Sequence, residues 1–145
     1  KVQLSESEYR VRSISLALFL ITQSHTQTEA VMFDFQKLSV YQKAKDVNKQ
    51  VIEIIADNSF DRHVNDQLKR ASFSILLNLA EGSSRFSSAD RRRFMVMARG
   101  SAFECVAVLD FLREVECIDV RVYNDLLGRY EEISKMLYSL IKKFS

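Results

Sequence analysis

The sequence predicts an all-α protein, an antiparallel up-down-up-down four-helix bundle, on three observations. Its 145 residues contain no Pro and three Gly, where average usage would give about seven and about ten. Tight turns depend on those two residues, so a β-sandwich or a doubly wound α/β domain is excluded. The 47% hydrophobic content suits one domain with a single core at this length. From Phe35 onward, apolar residues recur at spacings of three and four in four long stretches, each marking one face of a helix.

The first helix is expected over about Leu38 to Ala56, with Tyr41, Ala44, Val47, Val51, Ile54 and Ile55 on one face. Asp57-Asn58-Ser59 ends it. The second, about Val64 to Glu81, carries two stripes, Leu68, Ala71, Ile75 and Leu79 on one side and Phe73, Leu76, Leu77 and Ala80 on another. A helix apolar on both sides is expected to be covered twice, which in a small bundle indicates an oligomer interface. Gly82 reads as its stop signal. Ser87 or Ser88 caps the third helix, which runs to about Glu116 through Phe94, Met97, Ala98, Ser101, Cys105, Val108, Leu109, Leu112 and Val115. Gly100 sits at its centre, and an interior Gly costs about 1 kcal/mol against Ala, so the close approach of a neighbouring helix is expected there. Asp119 caps the fourth helix, whose Tyr123, Leu126, Tyr130, Ile133, Leu137, Leu140 and Phe144 form a bundle seam. Loops of three to eight residues make neighbouring helices antiparallel.

Residues 1–31 are set apart as an extension, leaving 32–145 as the bundle domain. The run Ile14-Ser15-Leu16-Ala17-Leu18-Phe19-Leu20-Ile21 after Arg10 and Arg12 superficially suggests a secretion signal. It is shorter than the ~20 residues a membrane span needs, and Glu6 and Glu8 precede it. A translated upstream extension or an extra interaction segment is the preferred reading, with Met32 as a natural start.

Metal and redox chemistry find little support. Cys105 and Cys117 match no metal or redox spacing, and His25 and His63 are isolated. Both cysteines are expected as buried fillers in a reducing compartment, which points to the cytoplasm. No cofactor and no membrane partner are expected.

Four short motifs resemble a known family. Gln67-Leu68-Lys69-Arg70-Ala71, Asn78-Leu79-Ala80-Glu81-Gly82, Ala98-Arg99-Gly100-Ser101 and Val40-Tyr41-Gln42-Lys43-Ala44, with Ser74-Ile75, Arg93-Phe94 and Phe103-Glu104, look like the signature of the four helix bundle proteins encoded in 23S ribosomal RNA intervening sequences. Relatives of that family include the accessory variability determinant protein of diversity-generating retroelements. The resemblance covers about residues 33–144. The family commonly has Trp in place of Tyr41, a Pro near Asp61 and another at the position of Leu76. It implies a bundle that assembles as a ring-shaped homo-oligomer, typically a pentamer, with RNA or DNA binding proposed and no enzymatic activity. A reverse-transcriptase partner, or another protein partner, is the alternative implied by the retroelement relatives.

Two sets of residues stand out in and beside those motifs. Arg70, Asn78, Glu81, Arg99, Ser101 and Glu104 form a polar motif among apolar neighbours, and buried polar groups need hydrogen-bond partners. Glu81 or Glu104 pairing with Arg70 or Arg99 to fix helix register is the expectation. A catalytic carboxylate pair is disfavoured for want of a His, nucleophile or metal set. The second set is basic. The net charge is only +2, yet residues 61–100 hold eight basic against four acidic residues. Arg91, Arg92 and Arg93 open a helix, where the macrodipole disfavours cations by a few tenths of a kcal/mol. A short arginine run is usually a solvated face. A helix N-terminus with added positive charge also attracts phosphate. Arg85, Arg91, Arg92, Arg93 and Lys69 are therefore the candidate nucleic-acid-binding residues, with binding directed at the backbone and no aromatic platform visible.

Overall fold

Four helices follow from where the caps fall along the chain. The computed structural model describes residues 33–145 apart from Ser59, so the expectation for residues 1–31 lies outside the described residues. After a 3-10 turn at Asp34–Lys37 come α1 (Ser39–Asp57), α2 (Arg62–Ser83), α3 (Ser88–Glu114) and α4 (Val120–Lys143). Each expected helix is present, with ends shifted by one or two residues. The 3-10 turn was not foreseen; its Phe35 packs edge-on against Tyr41, with ring centroids 4.9 Å apart.

Three side-chain caps set the starts of the later helices. The Asp61 carboxylate accepts from the His63 backbone N–H at 2.8 Å, Ser87 Oγ from Asp90 N–H at 3.1 Å and Asp119 from Arg121 N–H at 2.7 Å. Each satisfies one of the amide donors that a helix N-terminus leaves open. The cap at Asp61 starts α2 two residues earlier than the apolar pattern does. At the other end of α3, Glu116 takes φ 57°, while Cys117 N–H donates to Leu112 C=O at 2.8 Å and Glu116 N–H to Arg113 C=O at 3.1 Å. That pair of bonds is a Schellman stop. Here it uses Glu where Gly would meet no Cβ penalty.

Packing closes the four helices into a square. α1 packs on α2 and α4, α2 on α3, and α3 on α4, while the backbones of the diagonal pairs stay apart among the described residues. The core is the seam expected from spacing: Ala44, Val47 and Val51, then Leu68, Ala71, Ile75 and Leu79, then Ala98, Cys105, Leu109 and Leu112, then Leu126, Tyr130, Ile133 and Leu137. Two expected core residues of α3, Met97 and Val115, are instead exposed, and Met95 is buried in their place. The buried stripe of α3 is thus rotated toward Met95, because that side faces α2 at Gly82.

The second stripe of α2 divides. Leu76 is buried, Ala80 half-buried, and Phe73 and Leu77 stay 46% and 64% exposed. The expected double covering is therefore not supplied by this chain's own described helices at Phe73 and Leu77.

One polar residue from each helix meets at mid-bundle. Asn48 Nδ2 of α1 donates to Ser72 Oγ of α2 at 2.8 Å, and both are buried. The Tyr130 hydroxyl of α4, on a side chain 1% exposed, reaches toward Ser72 and toward Cys105 of α3 without full hydrogen-bond geometry to either. Burial, followed by the neighbouring Cys105, raises the Tyr130 pKa. Burial likewise pushes the Cys105 thiol up to about 12. A thiol held neutral in this way is a filler, because the thiolate is the reactive form. Cys117 departs from the expectation and is exposed.

Candidate nucleic-acid interface

The corner between α2 and α3 is built around a close approach at Gly82. A Cβ there would lie 2.5 Å from Met95 Cε and 2.8 Å from Phe94 Cβ, closer than side-chain atoms pack. Gly82 lies inside α2 with ordinary helical φ, so it permits this contact and does not end the helix. Gly100 is the reverse: a Cβ there would meet nothing within 4 Å. The close approach expected at Gly100 is therefore found at Gly82, a difference that composition and periodicity cannot register.

The candidate arginines differ in what they touch. Arg85 forms an ion pair with Glu81 one turn earlier on the same side of the chain and lies over the Phe94 ring at 4.9 Å. Its charge is compensated locally. Arg91 Nε donates to the Arg85 carbonyl at 2.6 Å, and its guanidinium sits 6.0 Å from the Phe144 ring. That arginine closes the corner onto the end of α4. Arg92 and Arg93 are exposed and have no acidic partner among the described residues, Arg92 Nε donating to Ser145 Oγ at 3.2 Å. Lys69 does not join them. It lies 14 residues before the end of α2, about 20 Å along the axis at 1.5 Å per residue.

Two further cations reach this end unannounced by the arginine run. Lys142 and Lys143 occupy the last turn of α4, where the helix C-terminus favours positive charge. The antiparallel packing of α3 on α4 carries that turn to the start of α3, as the Arg92–Ser145 bond shows. Basic residues in a last helical turn were a readable signal for these two. Their proximity to Arg92 needed the fold. The end of the bundle therefore collects Arg91, Arg92, Arg93, Lys142 and Lys143 around an N-terminal helix turn that itself carries Asp90.

The polar motif sorts differently from the expectation. Ser74 Oγ accepts from the Ser101 hydroxyl at 2.8 Å, which ties α3 to α2, whereas Asn78 Nδ2 donates to Ser74 Oγ at 3.0 Å and so bonds within its own helix. The expected carboxylate pairings with Arg70 or Arg99 are absent. Glu81 takes Arg85 because Arg85 follows four residues later, just past the end of α2. Glu104 accepts only a long 3.4 Å bond from Gln67 Nε2. Arg70 faces outward and is exposed. Arg99 turns to α4, its Nε donating to Ser134 Oγ at 3.1 Å. Ser72 and Asn48 have no signal in the sequence and Ser74 only its place in a family motif, since small polar residues on a helix carry no period of their own.

No group of side chains that could hold a metal ion occurs among the described residues. No described helix is long and apolar enough to cross a membrane.

Comparison with known proteins gives a fold and a family. No curated protein matches the chain. The crystal structure of a protein of unknown function from the S23 ribosomal protein family of Bacteroides thetaiotaomicron VPI-5482 is similar, with a TM-score of 0.67 and 24% sequence identity, covering 71% of this chain and 98% of that chain. At that identity the likeness speaks for the bundle alone. Residues 36–139, spanning all four helices almost completely, match the 23S rRNA-intervening sequence protein family, and the chain belongs to that family.

Proposed function

We propose that the protein is a non-enzymatic bundle that self-associates and binds RNA or DNA through phosphate contacts at its basic end. The observation that carries this reading is the grouping of Arg92, Arg93, Lys142 and Lys143 at one end with no acidic partner among the described residues. Cations placed at the start of α3 oppose its macrodipole, and a phosphate bound there would relieve that cost. In a ring, several copies would bring these ends together, and their fields add within a Debye length of about 10 Å. A cytoplasmic location fits such a partner.

Binding of this kind is steeply salt-dependent and tolerant of sequence. A gel-shift titration against structured ribosomal RNA and duplex DNA across salt tests it. Replacing Arg92, Arg93, Lys142 and Lys143 by Ala should flatten the salt slope and leave the assembly's mass unchanged. Affinity that does not respond to salt, or to that replacement, removes the assignment. Arg85 and Arg91 are unsuitable for this test because they hold the corner.

A second reading, a scaffold for a protein partner such as a reverse transcriptase, is favoured by the exposed Phe73 and Leu77. The same two residues serve equally as a face for a second copy. Intact-mass determination with analysis of co-purified nucleic acid separates these readings, a monomer free of nucleic acid counting against the first.

A further inference from the structure

Arg99 lies in a groove between α3 and α4 that the basic end does not exhaust. Its guanidinium carbon is 4.9 Å from the Phe103 ring centroid and 5.6 Å from that of Tyr138, and its Nε is fixed on Ser134 Oγ. Two adjoining hollows, about 360 and 480 Å³, open on either side of it and share Arg99 and Phe103 in their walls. Phe103 and Tyr138 remain 57% and 50% exposed. Beyond the hollows toward the basic end stand Lys142, whose Nζ lies 5.9 Å from the Tyr138 ring, and Arg92, which is bonded from α3 to Ser145 after α4. Away from that end the groove's walls run past Lys135, paired with Glu131 at 3.3 Å, to Val106 and Leu127. Cations and rings thus alternate along one groove, and Arg92, Arg99 and Lys142 lack acidic partners among the described residues.

We infer that this groove binds an unpaired stretch of nucleic acid, with bases stacked on Tyr138 and Phe103 and phosphates met by Arg99, Lys142 and Arg92. A positively charged groove interleaved with exposed aromatic rings is the chemistry that holds single strands, because every base offers a π-face whatever its sequence. The guanidinium of Arg99 is held against two rings before any ligand arrives, so its ordering cost on binding is small. Gly100 supports the assignment. It is exposed in the wall of one hollow, and the space a side chain would take there is open, leaving room for a flat ring against bare helix. The inference rests on the nucleic-acid reading above and specifies which form of nucleic acid, and which groups of it, the protein recognises.

Fluorescence anisotropy with a short labelled oligouridine RNA, the DNA strand of equal length, an abasic strand of equal charge and the corresponding duplex tests it at one low salt concentration. The intact strands should bind about fivefold or more tighter than the abasic strand, the effect of about one stacked base. Tyr138→Leu and Phe103→Leu, both at half-exposed positions, should each lower affinity for the intact strands about five- to tenfold. They should leave the abasic strand unaffected, and Tyr138→Phe should retain wild-type binding. RNA bound better than DNA would point to contacts with the 2′-hydroxyl, and equal binding to stacking alone; both agree with the inference. Equal affinity for intact and abasic strands, or no effect of Tyr138→Leu, overturns it while leaving phosphate binding at the basic end in place. Dissociation of the assembly by Tyr138→Leu overturns it as well, by showing that a second copy covers the groove. No binding of any nucleic acid, even at low salt, removes both readings together.

Discussion

α3 presents two unlike sides, one closed against α2 and one open beside α4, and a glycine marks each. At Gly82 the chain has no room for a methyl group, since Met95 and Phe94 occupy the place a Cβ would take. At Gly100 there is room and no neighbour. The closed side is also where two hydroxyls meet between helices, Ser101 donating to Ser74. The open side keeps its polar groups for the surface, with Arg99 laid between two exposed rings. One residue type therefore serves opposite purposes. In the first case the missing side chain lets the protein pack on itself; in the second nothing in the described chain uses it.

The sharpest way to break this contrast is to fill the closed side. Gly82→Val should destabilise by about 3 kcal/mol, since it forces atoms into an occupied corner and adds a β-branched residue. Urea unfolding monitored by circular dichroism measures it. A loss below about 0.5 kcal/mol would mean that Phe94 and Met95 move aside freely.

Next in size is the centre of the bundle. Asn48→Ala removes the donor to Ser72 and should cost about 2 kcal/mol, because the Ser72 hydroxyl then loses its partner in the interior. Double replacement with Ser72→Ala should cost less than the sum of the two single changes. Strict additivity would show that the two side chains act separately.

On the open side the sign reverses. Gly100→Ala should stabilise by about 1 kcal/mol, the ordinary helix-propensity difference, since nothing obstructs the added methyl. Gly100→Leu should keep the fold and weaken single-strand binding by filling the hollow. Destabilisation by Gly100→Ala would show that a second molecule packs there in solution.

The smallest effect concerns pH at the start of α4. The backbone N–H of Arg121 holds the Asp119 carboxyl below its ordinary value. A lowered carboxylate pKa contributes stability that is present above the unfolded value, near 3.9, and is lost as pH falls through the folded value. The difference in stability between the wild type and Asp119→Asn should therefore change below about pH 4 and stay flat above pH 5. A difference independent of pH would mean that the cap works through geometry without charge.

Much of the bundle was legible because helices announce themselves locally. Apolar spacing located all four, and Ser87 and Asp119 could be read as caps since the residues they serve are neighbours in the chain. The errors share one origin. Gly82 and Gly100 look alike in a sequence, and only the partner helix distinguishes an occupied space from an empty one. Glu81 was expected to reach a distant arginine, but Arg85 stood one turn away, where pairing requires little ordering. Met97 and Met95 exchanged places because a small rotation of α3 leaves the apolar period intact. At the candidate interface, the arginine run was visible, whereas Lys142 and Lys143 join it only through antiparallel packing. Lys69, grouped with the arginines by charge, is separated from them by several turns of helix.

By itself, the sequence determined the class of fold, the helix number and two of the three side-chain caps, at Ser87 and Asp119, all of which depend on residues a few places apart. Its basic middle segment likewise came from composition alone. The tertiary structure decided which glycine is crowded, which polar residues share the core and which arginines keep an uncompensated charge. It also placed Tyr138 beside Arg99 and Phe103 to form a groove. These outcomes require groups far apart in the chain to meet, and neither hydrophobic period nor charge count carries distance between helices.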